Sequence, residues 1–430
     1  MALRPLHHRH QQSDSMHRVS WILSCILPLV GFLALAVVLF RPLPALAVDW
    51  ETSASISLSE EFNDNVNDTA NAKSDLITSL KPTLKLDYAG NRTTASVAYA
   101  GSLRQYAFGN RQNEFLNTLE AKASLEAIEN LLLAKVSDSN KMVFTDATLG
   151  AATEADSTSN QVNQNNLKVG LGLQPASWER TPVSLDVDYM KTTYWDGTGI
   201  DKNGQQIVLD VLHSATQLLD IGGDAKVYRQ EAADTNLTRI SATGVVRFTY
   251  AEDCYLYSRV GVMRSVIQGE SHEIQPIWSA GLAHVFGRTS LTIDSQAGYI
   301  DNPSTIQDTY RTTITANLQR TFERSILTLN AGYVDYSGND TLQSKQLTVG
   351  LKELYSLTPR LNFVLSGSYI TNTTSIQTLD RIYGASELHY ELPSDYSLSL
   401  WFRHKVSNST TNNANTYHAN MVGIGLQKTF

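Results

Sequence analysis

Apolar and polar residues alternate along most of this chain, in segments that recur from end to end. Segment 310–322 shows the pattern, with Tyr310, Ile314 and Leu318 on one face and Arg311 on the other. A period of two residues is that of a β-strand, so the sequence predicts an all-β fold. The segments are about ten residues long, which suits a tilted membrane-crossing strand better than the roughly five or six residues of a common soluble strand.

The connections between these segments alternate in length. Short turns are expected at Gly90, Ile128, Ser177, Glu252, Gly287, Glu323, Leu357 and Pro393. Longer polar connections are expected at 63–74, 109–113, 138–166, 195–206, 231–237, 267–274, 301–308, 337–344, 372–380 and 407–415. Short and long connections alternate strictly if one more turn lies near Ser214. This alternation is typical of the short periplasmic turns and long outer loops of an outer-membrane barrel.

The prediction is therefore an all-β, transmembrane, antiparallel up-and-down β-barrel of about 20 strands, within a range of 16–20. Tyrosines at the ends of the segments suit the boundary between lipid and water. These are Tyr88, Tyr250, Tyr299, Tyr310, Tyr336, Tyr355, Tyr390 and Tyr396. Local alternation alone leaves a soluble β-sandwich open as the alternative.

The N-terminal region has the three parts of a signal peptide. Arginines precede the apolar run 21–40, and small residues ending at Ala47 follow it. We expect a signal peptide over 1–47, with Met16 as a candidate true start, and a barrel over 48–430. The apolar run is also long enough for an uncleaved membrane anchor, which is the alternative.

Composition narrows the function classes. The chain carries a net charge of −8 and no basic cluster, so we expect no nucleic-acid partner. Cys254 is the one cysteine after the apolar leader, which excludes a disulfide framework. Histidines are scattered, with no H-E-x-x-H motif and no Gly-x-Ser-x-Gly elbow. The expectation is a protein that is not an enzyme and that binds no cofactor.

If the apolar face of each strand meets lipid, charged residues of the other face line the lumen. The candidates are Arg104, Asp294, Arg311, Lys352, Glu387, His389, Glu391 and Arg403. Their mixed sign predicts weak ion selectivity, with an acidic bias open. No catalytic or metal site is predicted, although Asp64, Asn65 and Asp68 form a weak candidate Ca²⁺ loop, for which a solvated loop is the favoured interpretation.

The last strand, 416–430, ends on the aromatic Phe430 and resembles the terminal strand of Gram-negative outer-membrane barrels. That resemblance implies that Phe430 is the assembly signal, that the barrel-assembly machinery is a partner, and that the chain is integral to the outer membrane. Lys428 departs from the pattern, because the third residue from the end is usually apolar.

The opening of the predicted barrel, Ser59 to Val66 (SEEFNDNV), is similar to that of outer-membrane barrels associated with exosortase (PEP-CTERM) sorting and exopolysaccharide systems. The resemblance implies export of exopolysaccharide or surface proteins, with export components as partners, and no reaction. Two alternatives stay open: a general diffusion porin, and a structural or adhesive barrel whose lumen is closed by 138–166. An outer-membrane hydrolase is a more distant alternative.

Overall fold

The computed structural model describes residues 49–145, 161–175, 180–195, 199–233, 235–269, 272–305, 309–337, 343–411 and 416–430. The predicted signal peptide, 1–47, lies outside them. The described residues form 20 strands: β1 (Asp49–Asn63), β2 (Asp75–Ala89), β3 (Thr93–Tyr106), β4 (Glu114–Ile128), β5 (Leu132–Phe144), β6 (Gln161–Leu173), β7 (Val183–Tyr194), β8 (Lys202–Ser214), β9 (Leu219–Ala232), β10 (Thr235–Ala251), β11 (Cys254–Ile267), β12 (Glu273–Phe286), β13 (Thr289–Ile300), β14 (Thr309–Thr321), β15 (Ser325–Ser337), β16 (Ser344–Thr358), β17 (Leu361–Thr374), β18 (Thr378–Leu392), β19 (Tyr396–Ser409) and β20 (Tyr417–Thr429).

The sheet closes on itself. Each strand pairs with the next along the chain, and β1 pairs antiparallel with β20 from Ser55 opposite Thr429 to Asn63 opposite Met421. This confirms the predicted up-and-down barrel of about 20 strands. The turn expected near Ser214 is also confirmed, since β8 ends at that residue. In the part of the chain that the structure describes, no helix is long and apolar enough to span a bilayer.

The two ends of the barrel differ. We call the end at which β1 begins and β20 ends the turn rim, and the opposite end the loop rim. The strands contain 12 to 17 residues and so exceed the predicted length. The connection predicted at 138–166 is shorter, because β5 runs to Phe144 and β6 begins at Gln161. The connection predicted at 231–237 shrinks similarly between Ala232 and Thr235. Polar residues continue the strands because the ladder satisfies their backbone groups as well as water would.

The wall is split between β4 and β5 at the loop rim. β5 pairs with β4 only as far as Asn140. Beyond it, 141–144 pair with β6 alone, and 114–118 of β4 pair with β3 alone. Asparagine side chains bridge the split: Asn140 donates to Asn163 at 2.6 Å, and Asn163 donates to Asn117 at 3.2 Å. The described end of the β5–β6 hairpin, which we call its tip, therefore leaves the wall.

A second split separates β12 from β13, also at the loop rim. Their pairing ends at Trp278, although β12 begins earlier, at Glu273. Pro276 lies in the unpaired part, where it has no N–H to donate to a ladder. Its carbonyl instead accepts a hydrogen bond from the Tyr310 hydroxyl at 2.6 Å. The described end of the β13–β14 hairpin, which we likewise call its tip, is thereby released from its neighbour.

Two of the tyrosines expected at the lipid boundary lie elsewhere. The Tyr299 hydroxyl donates to Glu273 at 3.3 Å, and the Arg239 guanidinium lies 4.1 Å from the centre of the Tyr299 ring. Tyr336, only 2 % exposed, lines an internal cavity. Tyr299 thus packs in the second split, where β13 has left its neighbour. Tyr336 lies in the lumen because it is on the inward face of β15, the same face as Val334.

Candidate functional site

The outer face of the closed barrel is apolar. At the seam, Leu58 lies opposite Leu426 and Phe62 opposite Val422, and all four side chains are more than two-fifths exposed. Such a surface requires lipid, and a closed barrel leaves no backbone edge unpaired within it. The protein is an integral outer-membrane β-barrel. The candidate site of such a barrel is its lumen.

Aromatic rings gather on the barrel near the turn rim. Trp50 and Tyr88 lie 4.6 Å apart, centre to centre. Tyr250, His284 and Phe286 form a stack with spacings of 5.8 and 5.5 Å. Rings of this kind suit the boundary between hydrocarbon and water. Tyr88 and Tyr250 thus lie among clustered rings.

One wall of the lumen, from β16 through β20 to β3, borders a cavity of about 650 Å³. We call it the seam cavity, because it includes the β1–β20 junction. Successive inward positions of β19 line it: Lys405, Arg403, Trp401 and Ser399. Gln427, near the turn rim, lines it as well. The cavity therefore follows the wall through much of the height of the barrel.

The indole of Trp401 lies flat on the wall of the seam cavity. A Cβ atom added to Gly423 would be 2.3 Å from the Trp401 ring, and one added to Gly425 would be 3.2 Å from it. Glycine at both positions is what allows this close approach. Glu61 fixes the ring by accepting a hydrogen bond from its Nε1 at 2.8 Å. The Arg403 guanidinium lies 5.3 Å from the ring centre.

Ion pairs hold several charges of the seam cavity in place. Glu61 also pairs with Arg403 at 3.2 Å, so one carboxylate orients both the indole and the guanidinium. At the loop rim, Lys405 pairs with Asp68 at 2.9 Å, with both side chains largely buried. The second pair ties the β1–β2 connection to β19. Because both side chains of the Lys405–Asp68 pair are shielded from water, their attraction is screened less than that of a surface ion pair.

A second cavity, of about 640 Å³, lies where the two hairpin tips approach each other. It is lined by residues of β3–β6 and of β13–β16, which belong to opposite walls of the ring. Phe144 and Gln346 line both this cavity and the seam cavity. The described ends of segment 138–166 thus lie inside the lumen, and the lumen is narrow there.

Asp301, directly after β13, joins the tips to the β7–β8 side. Its carboxylate accepts hydrogen bonds from Gln164 at 2.7 Å, from the Tyr194 hydroxyl at 2.5 Å and from Lys202 at 2.5 Å. Lys202 is 3 % exposed, and its ammonium also donates to the Asn302 carbonyl at 2.8 Å. The Ile200 amide also donates to the Pro303 carbonyl at 2.9 Å. We call this set the Asp301 crossing.

The structure brings three of the predicted lumen residues together. Arg104, Glu387 and Arg403 line the seam cavity, and Arg311 lines the second cavity. The others lie apart from both. Asp294 accepts a hydrogen bond from Tyr257 at 2.9 Å, His389 contacts Ser399 at 3.1 Å, and register places Lys352 beside Thr328 and Glu391 beside Ser397.

The candidate Ca²⁺ loop has protein partners for its oxygens. Asp64 accepts hydrogen bonds from the Asn420 amide and side chain, both at 2.7 Å. The Asn65 side chain donates to the His418 carbonyl at 3.0 Å, and Asp68 pairs with Lys405. Among the described residues, no group of three or more His, Cys, Asp or Glu could hold a metal ion.

The surroundings of Lys428 account for a lysine at a position that is usually apolar in the last strand. Lys428 lies near the turn rim, where its ammonium donates to the Ser394 carbonyl at 2.6 Å and lies 5.0 Å from the Tyr396 ring centre. A lysine there reaches polar groups at the rim with its end while its stem stays on the apolar face. Phe430 is 72 % exposed and its amide donates to the Ala54 carbonyl at 2.8 Å.

Sequence reasoning missed three residues that organise the lumen: Trp401, Asp301 and Lys202. Each is an ordinary member of an alternating strand or its flank, and the contacts that distinguish them join residues about 100 or more positions apart. The one local signal was the glycine pair Gly423 and Gly425 on the inward face of β20, which indicates close approach of another group.

No family model matches the chain, and no curated protein matches its sequence. Its fold is similar to that of solved structures. The copper transporter OprC is 9 % identical over 91 % of this chain and 84 % of its own, with a TM-score of 0.49. The FrpB iron transporter from Neisseria meningitidis is 7 % identical over 88 % and 81 %, with a TM-score of 0.49. OccAB3 from Acinetobacter baumannii is 10 % identical over 89 % and 99 %, with a TM-score of 0.40.

Proposed function

We propose that the protein is a non-enzymatic outer-membrane channel for small hydrophilic solutes. The observation that carries the proposal is the seam cavity, which has polar and charged walls and extends along one side of the lumen from Lys405 to Gln427. A barrel that transports nothing would gain stability if apolar side chains filled its interior. The wall of the seam cavity instead borders open space and presents polar groups that water can hydrate. The Asp301 crossing limits the passage to this side of the barrel.

Association with exopolysaccharide or exosortase-type export is the second candidate. The resemblance of Ser59–Val66 supports it, and Glu61 of that segment orients Trp401 and Arg403 in the lumen. A structural or adhesive barrel is the third, favoured by the crossing, which joins the end of β13 to β6, β7 and β8. In each case we expect the barrel-assembly machinery to insert the protein by way of its last strand, ending at Phe430.

Planar-bilayer conductance tests the channel. Residues 48–430 would be refolded and compared with the same chain in which Asn-Gly replaces 145–160, a two-residue turn that allows β5 and β6 to stay paired. Steady current in both supports an open channel. Current only after the deletion supports a closed barrel that a partner opens. No current in either, from protein whose gel mobility changes on boiling as expected of a folded barrel, would overturn the proposal.

The export candidate needs a different measurement. Deletion of the gene in its native host should lower surface polysaccharide without changing uptake of small solutes if export is the function. Slower growth on small hydrophilic nutrients with normal surface polysaccharide supports the channel instead. Reintroducing the Asp301→Ala variant would show whether the lumen itself is needed, because a structural barrel would tolerate a changed crossing.

A further inference from the structure

The outward faces of β7 to β11 carry a band of exposed aliphatic side chains. Its members are each at least 45 % exposed and are Val187, Ile207, Val227, Ile240 and Val262. The first four lie directly opposite one another on adjacent strands. A surface of this kind faces the acyl chains of the bilayer in an outer-membrane barrel. We call it the lipid band of this wall.

Three cations follow the lipid band on the same outward faces, nearer the loop rim. They are Lys191 on β7, Arg229 on β9 and Arg264 on β11, and all three side chains are exposed. Register places Arg229 opposite Thr238 of β10, and Arg264 opposite Ile240 of the same strand. At about 4.8 Å between strands and about 3.4 Å between residues, the Cα atoms of Arg229 and Arg264 lie roughly 12 Å apart, a distance that two extended arginine side chains can close. We call the three cations the outer basic patch.

The outer basic patch lies at the height of the lipid headgroups. Leu256 lies opposite Phe248, one of the rings near the turn rim. From Leu256 to Arg264, β11 rises roughly 20 Å at a strand tilt of about 40°, and the apolar belt of such barrels is about 25 Å tall. Tyr189, 42 % exposed, marks the same boundary on β7, one outward position before Lys191. Because short turns of outer-membrane barrels lie in the periplasm, this boundary belongs to the outer leaflet.

Two cations of the patch have no counter-ion from the protein. In the described part of the chain, no ion pair, hydrogen bond or ring contact joins Arg264 or Lys191 to another side chain. The direct neighbours of Arg264 on β10 and β12 are Ile240 and Ile274, which are 53 % and 64 % exposed. A guanidinium at the edge of hydrocarbon is stabilised by an anion from the lipid, and phosphate is the anion that its planar fork of N–H groups matches.

The surrounding charges also favour an anion at this wall. Arg229 pairs with Glu231 at 3.2 Å, but both side chains are more than half exposed, so the pair is weak and the guanidinium stays accessible. On the described strands of the other side, β15 to β18, Lys345 lies opposite Asp335 at the outward loop rim, and the Asp380 carboxylate accepts a hydrogen bond from a tyrosine. Positive charge in excess of negative charge thus gathers on the wall of β7 to β11.

We propose that Arg229 and Arg264 bind a phosphate group of the phosphorylated glycolipid of the outer leaflet, lipopolysaccharide. The acyl chains of the same lipid lie on the lipid band below, and Lys191 extends the charged surface to a neighbouring headgroup. Arginine suits this role because its guanidinium donates two parallel hydrogen bonds to phosphate oxygens. The inference depends on the position of the barrel in the outer membrane and not on conduction through its lumen.

Binding of defined lipids tests the site. Protein extracted from outer membranes in detergent, with its co-purified lipid exchanged, would be titrated with diphosphorylated lipid A, dephosphorylated lipid A and phosphatidylglycerol and followed by native mass spectrometry. We expect diphosphorylated lipid A to bind roughly tenfold more tightly than either of the other two lipids. Equal binding of the two forms of lipid A would overturn the inference. Phosphatidylglycerol that binds as tightly, or inorganic phosphate that displaces lipid A at equal concentration, would also overturn it, because the surface would then attract any anion.

Variants assign the binding to the patch. Arg264→Gln should weaken binding of diphosphorylated lipid A roughly tenfold, as expected for the loss of a charge-assisted contact, and Arg264→Lys should recover part of the affinity. Lys345→Gln, which removes an exposed outward cation on the other side of the barrel, is the matched control and should leave binding unchanged.

The folded state of each variant is checked by its change in gel mobility on boiling, which exposed substitutions should preserve. Unchanged binding in the double variant Arg229→Gln with Arg264→Gln would overturn the inference. An equal loss of binding in Lys345→Gln would overturn it as well, because the net charge of the protein rather than the patch would then hold the lipid. Conductance should be the same in all of these variants, since the substituted side chains face away from the lumen.

Discussion

The two sides of the lumen are built from the same alternating strands but have opposite characters. On one side, the tips of β5–β6 and β13–β14 leave the wall, and the Asp301 crossing joins residues up to 137 positions apart. On the other side, β18 to β3 stay in register, and a cavity follows them. The difference shows that unbroken pairing between neighbouring strands decides where the lumen of a barrel of this width stays open. Where the pairing between strands is interrupted, the ends of the hairpins occupy the lumen.

The largest effect should follow from breaking the crossing. Asp301→Ala removes the acceptor of three side chains and leaves the buried Lys202 ammonium without this carboxylate, which costs about 3–5 kcal/mol. We expect the tips to separate so that Lys202 regains water, and single-channel conductance to rise about twofold or more as the lumen widens.

A double variant sharpens this result. Asp301→Leu with Lys202→Met replaces the pair by apolar groups, which often preserves packing, so conductance should return towards that of the natural chain. Glu129→Ala removes the exposed pair with Arg92 at the turn rim and should change nothing. Equal conductance in Asp301→Ala and the natural chain would show that the crossing does not limit the passage.

The next effect should come from obstructing the open side. Gly423→Leu places a side chain where the Trp401 ring lies, so the indole must move into the seam cavity. We expect conductance to fall by about half or more, with a stability loss of about 1–3 kcal/mol from overpacking. Gly384→Ala, where an added Cβ meets nothing within 4 Å, is the matched control. Unchanged current in Gly423→Leu would mean that solutes pass elsewhere.

A smaller effect is expected from a change at Phe430, which follows the last strand at the β1–β20 junction. Deletion of Phe430 should lower the amount of protein inserted into the outer membrane while leaving the melting temperature of the folded fraction within a few degrees. The physical reason is that this side chain is 72 % exposed and contributes little packing. Cell fractionation and thermal unfolding in detergent measure the two quantities. A large fall in melting temperature would instead assign Phe430 a packing role.

The smallest effect is expected at the loop-rim end of the open side. Calcium or a chelator should shift the melting temperature by less than about one degree, because Asp64, Asn65 and Asp68 already bond to protein groups. Lys405→Met should destabilise this rim more than calcium removal, since it leaves Asp68 without its ammonium partner. A calcium-dependent rise of several degrees would establish the loop as a metal site.

Much of the fold could be predicted from the sequence because alternation is a local property. A strand such as β14 must put Ile314 and Leu318 on one face and Arg311 on the other, whatever its neighbours are. The short connections then predicted which strands are adjacent. The alternation of short and long connections predicted an even number of strands. Strand ends could not be predicted, because polar residues such as Asn140 and Gln161 are compatible with both a loop and an extended ladder.

The sequence by itself determined the alternating strands, the two faces of each strand and the alternation of short and long connections, and from these it predicted a barrel. Only the tertiary structure decided which inward residues meet. Asp301 finds Lys202, and Glu61 finds Trp401, across 99 and 340 positions of the chain. Such contacts depend on where the ladder splits and how the hairpin tips lean, which is set by packing among many strands at once. The period of two residues predicts the face of the sheet on which each side chain lies, but not the residue that it contacts.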